Sequence, residues 1–249
     1  MDLPYTLTPD RQIQLALIVL QSDETLEYDM RRLLPADVEM LVSRVASGAE
    51  LSTETIAAME SRLTEAASLL PRAARIAAAG YGCTSASAQF GSARVADLIR
   101  EGVETPHATD PAAALIAACR ALGVQRIALV SPYVASISDR MRAVLSDAGI
   151  ATPRFGSFNE PVEGNVVRIA PASLRDAALK LAGEGTCDAV FLSCTNLRTL
   201  DVIGDIEKEI GMPVMSSNQV LAWHMLRLAG IAPVPDAPGT LWRRAGLFE

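Results

Sequence analysis

One spacing occurs twice in this chain. Val19 lies in the short apolar run Ile13–Leu20 (IQLALIVL), and Cys83 ends another apolar run further on. Val130, within VQRIALVS at 124–131, precedes Cys194 by the same separation that divides Val19 from Cys83, and a threonine follows each cysteine. At the offset that carries Val19 onto Val130, ALIVL faces IALVS, and Cys-Thr faces Cys-Thr. A chain that repeats a strand-to-Cys-Thr segment folds most simply as two similar halves.

The segments between these anchors alternate in character. Short apolar runs at 13–20, 38–45, 74–79, 124–131, 152–158, 187–193 and 213–215 suit strands, several of them buried on both faces. Between them lie helical patterns. The clearest is 51–70, with Ser52 or Thr53 as start, Ile56, Met59, Leu63 and Ala66 at helical intervals, and Pro71 as stop. Asp110 before Pro111 predicts a helix ending near Gly123, and Ser136 with Asp139 predicts a capping box. Ser22 or Asp23 caps a helix through Leu26 and Met30. Residues 105–110 read as a turn, 158–171 as a loop, and the tail after Gly230 as a loop or interaction arm. Strand–helix alternation implies parallel βαβ units with right-handed crossovers. The expected fold is therefore α/β, with two pseudosymmetric lobes, each a mostly parallel β-sheet flanked by helices. Residues 1–123 with 212–249 would form the lobe of Cys83, residues 124–211 that of Cys194, with the site between them.

Composition removes several functions. A formal charge of -7 and the absence of a Lys/Arg cluster argue against nucleic acid as a partner. No apolar run nears the ~18 residues of a membrane span, and no signal peptide or anchor is visible. We expect a cytoplasmic protein. Four cysteines without CxxC spacing and two histidines, His107 and His224, fit neither a disulfide scaffold nor a zinc site, and no metal or cofactor is expected. Neither GxxxxGK nor GxGxxG is present.

A lone cysteine ending an apolar strand is usually a small core residue. That reading holds for Cys119, on an Ala-rich helix face, and for Cys187, at a strand start. The repeat sets Cys83 and Cys194 apart, because it puts both at equivalent strand ends, where parallel sheets place their ligands. Abstracting a proton beside a carboxylate without metal or pyridoxal needs a base on one face and an acid on the other, which two thiols can supply. Backbone N–H groups at the helix start after Cys83 would favour its thiolate. The same pair could instead add a thiolate to a conjugated double bond, let the new single bond rotate, and collapse. Hydroxyls and amides at strand ends, Thr84, Ser85, Tyr133, Thr195 and Asn196, with Asn218, are placed to bind a carboxylate. His224, on an apolar helix beside Trp223, reads as a core or interface residue.

The segments LIVLQSDET, GYGCTSAS, LVSPYV, FLSCTNLRT and VMSSNQVLAWHMLRLAG resemble the aspartate/glutamate racemase superfamily, on the branch of maleate cis-trans isomerases, arylmalonate decarboxylases and an ectoine-utilisation protein. The resemblance covers most of the chain. It implies a cofactor-independent isomerase with its site between two lobes, Cys83 as nucleophile and Cys194 as acid/base partner, acting on a small carboxylate in ectoine or related catabolism. It also implies that retention of Cys83 disfavours simple decarboxylation. Asp23 departs from the pattern, standing where maleate isomerases carry an amide. A carboxylate there repels a dicarboxylate and suits an ammonium or another donor; it is equally a natural N-cap. Two alternatives stay open: an amino-acid racemase or epimerase using two-thiol proton transfer, and a non-catalytic small-molecule-binding accessory protein. The apolar last helix and the Pro-rich tail lead us to expect a homo-oligomer.

Overall fold

The computed structural model describes residues 1–8, 12–183 and 185–244. Its strands form two four-stranded parallel sheets. The first, in the order β2-β1-β3-β4, contains β1 (Ile13–Leu20), β2 (Val38–Val45), β3 (Ile76–Gly82) and β4 (Ala108–Thr109). The second, in the order β6-β5-β7-β8, contains β5 (Arg126–Ser131), β6 (Ala151–Ser157), β7 (Ala189–Leu192) and β8 (Val214–Ser216). The strand order is the same in both, so the repeat in the sequence is a repeat of topology. Moving β1 by the offset between Cys83 and Cys194 gives residues 124–131, which contain β5, and moving β3 gives 187–193, which contain β7.

The central strands explain why the apolar runs are continuous. In β1 every residue after Ile13 is buried, as are all four of β7, because helices cover both faces of each sheet. Around the first sheet lie α1 (Leu26–Leu33), α2 (Thr53–Ser68), α3 (Thr84–Phe90), α4 (Ser92–Gly102) and α5 (Pro111–Leu122). The rest are α6 (Ala135–Asp147), α7 (Glu163–Val166), α8 (Pro171–Ala182), α9 (Leu200–Ile210), α10 (Ser217–Ala229) and α11 (Thr240–Arg244).

Local chemistry sets most boundaries. Ser52 Oγ accepts from Thr55 N while Thr55 Oγ1 accepts from Ser52 N, a closed capping box on α2. Asp110 Oδ1 accepts from the N–H groups of Ala112 and Ala113, Pro111 opens α5, and Gly123 closes it in the left-handed region. Elsewhere the structure differs from the sequence expectation. The Ser136–Asp139 box does not form: Val134 is the N-cap, α6 starts at Ala135, two residues before a Ser136 cap would start it, and Asp139 pairs with Arg142 instead. Gly91, at φ 83°, separates α3 from α4. The turn at 105–110 contains the short strand β4, and the loop at 158–171 contains α7. The tail carries α11; residues 245–249 lie outside the described residues.

The return from the second half comes later than residue 212. β8 pairs with β7 and completes the second sheet, so residues 214–216 belong with that lobe. The chain then crosses back, and α10 packs on α5, β3 and α1.

Candidate active site

Cys83 follows β3 and is the N-cap of α3, so its Sγ accepts from Ala86 N at 3.4 Å. Cys194 follows β7 with φ 148°, a conformation that side chains rarely adopt, and its Sγ accepts from Asn196 N at 3.3 Å. Both thiols open on one small cavity, lined by Leu20, Asp23, Cys83, Thr84, Ser85, Tyr133, Glu163, Cys194, Thr195 and Asn196. All the expected site residues except Asn218 therefore meet in one place, each just beyond the end of β1, β3, β5 or β7. The cavity is tight, with room for roughly one water molecule. A larger open groove beside Glu207 and Arg243 holds no cysteine.

Asn218 is the exception. Fully buried, it donates through Nδ2 to Asp29 Oδ2 at 2.7 Å and to the Thr195 carbonyl at 2.9 Å, so it holds the second Cys-Thr turn from behind and does not line the cavity. Two expected binding hydroxyls join the halves. Thr195 Oγ1 donates to the Gly82 carbonyl, and Thr84 Oγ1 donates to Ser217 Oγ at 2.8 Å. That Ser217 oxygen also accepts the Cys194 N–H at 3.0 Å, so one buried hydroxyl at the start of α10 ties both cysteine turns together.

Asp23 is not itself the N-cap of α1, a position held by Thr25, but it lies just ahead of that helix and lines the cavity. Its Oδ1 accepts from Thr25 N and Leu26 N at 2.8 Å, fixing the turn that leads into α1. Its Oδ2 is buried with no hydrogen-bond partner among the described residues, beside the cavity. The Thr195 hydroxyl is close enough to ease the Asp23 charge, but its single hydrogen goes to Gly82.

Glu163 is not among the residues expected from the sequence. It lies in the segment read as a loop, where a single acidic residue is expected to be solvated, and nothing in its spacing marks it. Here it is buried, in a strap docked on the first half through Leu51 N to Pro161 O and Glu163 N to Ala49 O, both at 3.0 Å. Its carboxyl is held by two donors: Tyr133 Oη gives to Oε1 at 2.6 Å and Asn196 Nδ2 to Oε2 at 2.9 Å. Tyr133 Oη is also 3.0 Å from Cys194 Sγ, so a chain of contacts runs from Cys194 through Tyr133 to Glu163.

Burial dominates the titration of the site. It pushes the Cys83 thiol up to about 12; the Ala86 N–H opposes this, and the nearby Glu163 and Asp23 carboxyls add to it. Cys194 is raised well above the ordinary thiol range by burial and then by Glu163, against the pull of Tyr133. Asp23 and Glu163 are both raised, mainly by burial. The resting site therefore holds two protonated thiols beside two reluctant carboxylates, with no Lys or Arg in its lining. Cys119 and Cys187 are core residues, and His224, lowered to about 4 by burial, shares a 2.7 Å hydrogen bond with Thr109. No three His, Cys, Asp or Glu side chains among the described residues are grouped to hold a metal ion, and no described helix is long and apolar enough to cross a membrane.

Two repeated parallel sheets with a cysteine at equivalent strand ends, facing one buried cavity, define a two-lobed α/β protein of the Asp/Glu racemase-like fold. Within that class the chain belongs to the arylmalonate decarboxylase family, whose model matches residues 28–242. It is 32% identical to the arylmalonate decarboxylase of Bordetella bronchiseptica over 133 residues, 53% of this chain and 55% of that protein. The match thus spans little more than half the length of that relative. In structure the chain is similar to the maleate isomerase Iso of Pseudomonas putida S16, in a cysteine variant with maleate, at a TM-score of 0.85 and 23% identity, covering 94% of this chain and 99% of that one. A Nocardia farcinica maleate cis-trans isomerase variant with a covalently bound succinylcysteine intermediate superposes at 0.82 with 25% identity, covering 94% and 99%. The branch expected from the sequence is thereby shown for the isomerases and decarboxylases.

Proposed function

We propose that the protein is a cofactor-independent isomerase that acts on a small carboxylate through Cys83 and Cys194. The observation that carries this reading is the opening of both thiols, from equivalent strand ends, on one buried cavity. In the reaction, Cys83 gives its proton to a carboxylate of the cavity wall, and the resulting thiolate attacks the double bond of an unsaturated carboxylate. A C–S bond forms, the π pair moves toward the carboxylate, and the Cys194 thiol gives its proton to the neighbouring carbon. The central bond, now single, rotates. Cys194 then takes the proton back, the C–S bond breaks, and the thiolate returns to Cys83 with the trans alkene released. The covalent intermediate on the Nocardia isomerase is support from a relative for the first step.

Proton transfer between two thiols without a C–S bond, giving racemisation, uses the same geometry, and the Tyr133 contact at Cys194 favours it as the second reading. The arylmalonate decarboxylase relative brings loss of CO₂ into the candidate chemistry as well. A role in ectoine or related carboxylate catabolism, a cytoplasmic location and a homo-oligomeric state belong to the same proposal. The test follows maleate, its monoamide, aspartate, glutamate and ectoine-derived acids by proton NMR in D₂O. Isomerisation appears as cis-to-trans conversion, and racemisation as deuterium at the carbon beside the carboxylate. Binding without either outcome would make the protein an accessory binder. Full turnover by both Cys83→Ala and Cys194→Ala would exclude the two-thiol mechanism.

A further inference from the structure

Tyr133 and Asn196, the second-lobe groups expected to receive a substrate carboxylate, are already occupied by one belonging to the protein. Tyr133 has a single O–H, and Glu163 Oε1 takes it at 2.6 Å. Both hydrogens of the Asn196 amide go to Glu163, to Oε2 at 2.9 Å and to the carbonyl at 3.2 Å, while Asn196 Oδ1 accepts from Glu24 N. These donors have no capacity left. The cavity wall carries instead an excess of acceptors. Asp23 Oδ2 is buried and unpartnered, and Glu163 lines the same space with one hydrogen bond on each carboxyl oxygen, where a carboxylate oxygen can accept two. A buried acceptor left unpaired is costly, so a ligand that brings N–H groups to it gains what a ligand bringing a second carboxylate cannot.

We propose that Glu163 is a built-in carboxylate filling one of the two anion positions of the site, and that with Asp23 it selects a substrate with one carboxylate and, at the other end, a nitrogen group that donates hydrogen bonds, amide or ammonium. The inference rests on the carboxylate-isomerase reading above and names its substrate class. The first-lobe hydroxyl of Ser85, in the same cavity lining, receives the remaining carboxylate. Such a ligand also helps the chemistry. The Glu163 and Asp23 carboxyls oppose thiolate formation at Cys83, and an N–H donor set against them weakens that opposition as the substrate arrives.

Binding of saturated small-acid probes tests the inference without requiring turnover, since they have no double bond to attack. Dissociation constants of succinate, its monoamide succinamate and β-alanine are measured by calorimetry on the wild-type chain. At least one nitrogen-bearing probe is expected to bind tenfold or more tightly than succinate, and which of the two does so separates amide from ammonium. In Glu163→Gln, with an unchanged circular dichroism spectrum, the ratio should fall at least tenfold; Asp23→Asn should lower it too and serves if the first variant fails to fold. Succinate binding as tightly as both nitrogen probes, a ratio unmoved by either variant, or no binding of any probe would overturn the inference. A clear nitrogen preference with no isomerisation or exchange of any substrate would leave it standing and remove the isomerase reading instead.

Discussion

Ser217 is the residue whose loss should most clearly reveal how the two halves are held. Its hydroxyl, fully buried at the start of α10, accepts from Thr84 Oγ1 at 2.8 Å and from the Cys194 N–H at 3.0 Å. Ser217→Ala leaves both donors buried without that acceptor. Each orphaned group costs about 1–3 kcal/mol, and the cavity from one lost oxygen adds little, so the expected loss is about 2–6 kcal/mol. Thr84→Val removes only one of the two bonds and should cost about 1 kcal/mol. Because the residues share that bond, the double variant should be less destabilised than the sum of the singles by about 1 kcal/mol. Urea denaturation at pH 7 gives all three values. In a chain of this size about 1 kcal/mol moves the melting temperature by about 2–4 °C, so Ser217→Ala should melt roughly 4–24 °C lower. A loss no larger than an ordinary surface substitution gives, about 0.5 kcal/mol or less, or strictly additive singles, would refute the account of Ser217 as the tie between the cysteine turns. Turnover should fall as well, since Cys194 sits at φ 148° and depends on that bond to stay there.

Three further outcomes are expected. A Cβ on Gly102 would lie 2.4 Å from the Thr64 carbonyl oxygen and 2.6 Å from Ala67 Cβ, where α4 meets α2, so Gly102→Ala should destabilise by about 1–3 kcal/mol in urea melts; an unchanged midpoint would contradict this contact. Burial raises Asp29 from 3.8 to about 6, so the folded state keeps its proton longer than the unfolded chain does, and the associated stability is present below about pH 4 and lost as pH rises through 6. Asp29→Asn should therefore gain up to about 3 kcal/mol relative to wild type between pH 4 and pH 7.5, and a constant difference would exclude the shift. With its thiol near 12, resting Cys83 should react with iodoacetamide at pH 8 about 50-fold more slowly than an exposed thiol, after allowing for the greater nucleophilicity of a more basic thiolate. Glu163→Gln should speed that alkylation by removing a carboxylate; mass spectrometry of the modified peptide would show whether it does.

Much of the fold could be read from the residues because its central strands are buried on both faces and so stay continuously apolar, while the edge strand β2 shows itself by alternation. Ile13–Leu20 and Val38–Val45 fall on β1 and β2, and the Asp110–Pro111 and Ser52 signals set their helices. The internal repeat carries the rest, since equal spacing puts Cys83 and Cys194 at equivalent strand ends. What the sequence concealed was contact between distant residues. Ser217 stands among ordinary helix-start residues, and its role arises only where α10 crosses back to β3. Glu163 is a lone acid in an irregular segment, and only the folding of that strap over residues 49–51 buries it against Tyr133 and Asn196. The Ser136–Asp139 box is absent for a local reason: α6 starts two residues earlier than a Ser136 cap would allow, and Asp139 accepts from Arg142.

The most direct test of the central claim is the mass of the chain after incubation with maleate or its monoamide, in wild type and in Cys194→Ala. If Cys83 attacks and Cys194 is the base whose withdrawal of the proton lets the adduct collapse, the variant, whose adduct water can protonate but nothing deprotonates, should accumulate one substrate mass on the peptide containing Cys83 while cis-to-trans conversion stops. Conversion at the wild-type rate with no mass on Cys83 in either protein would contradict it.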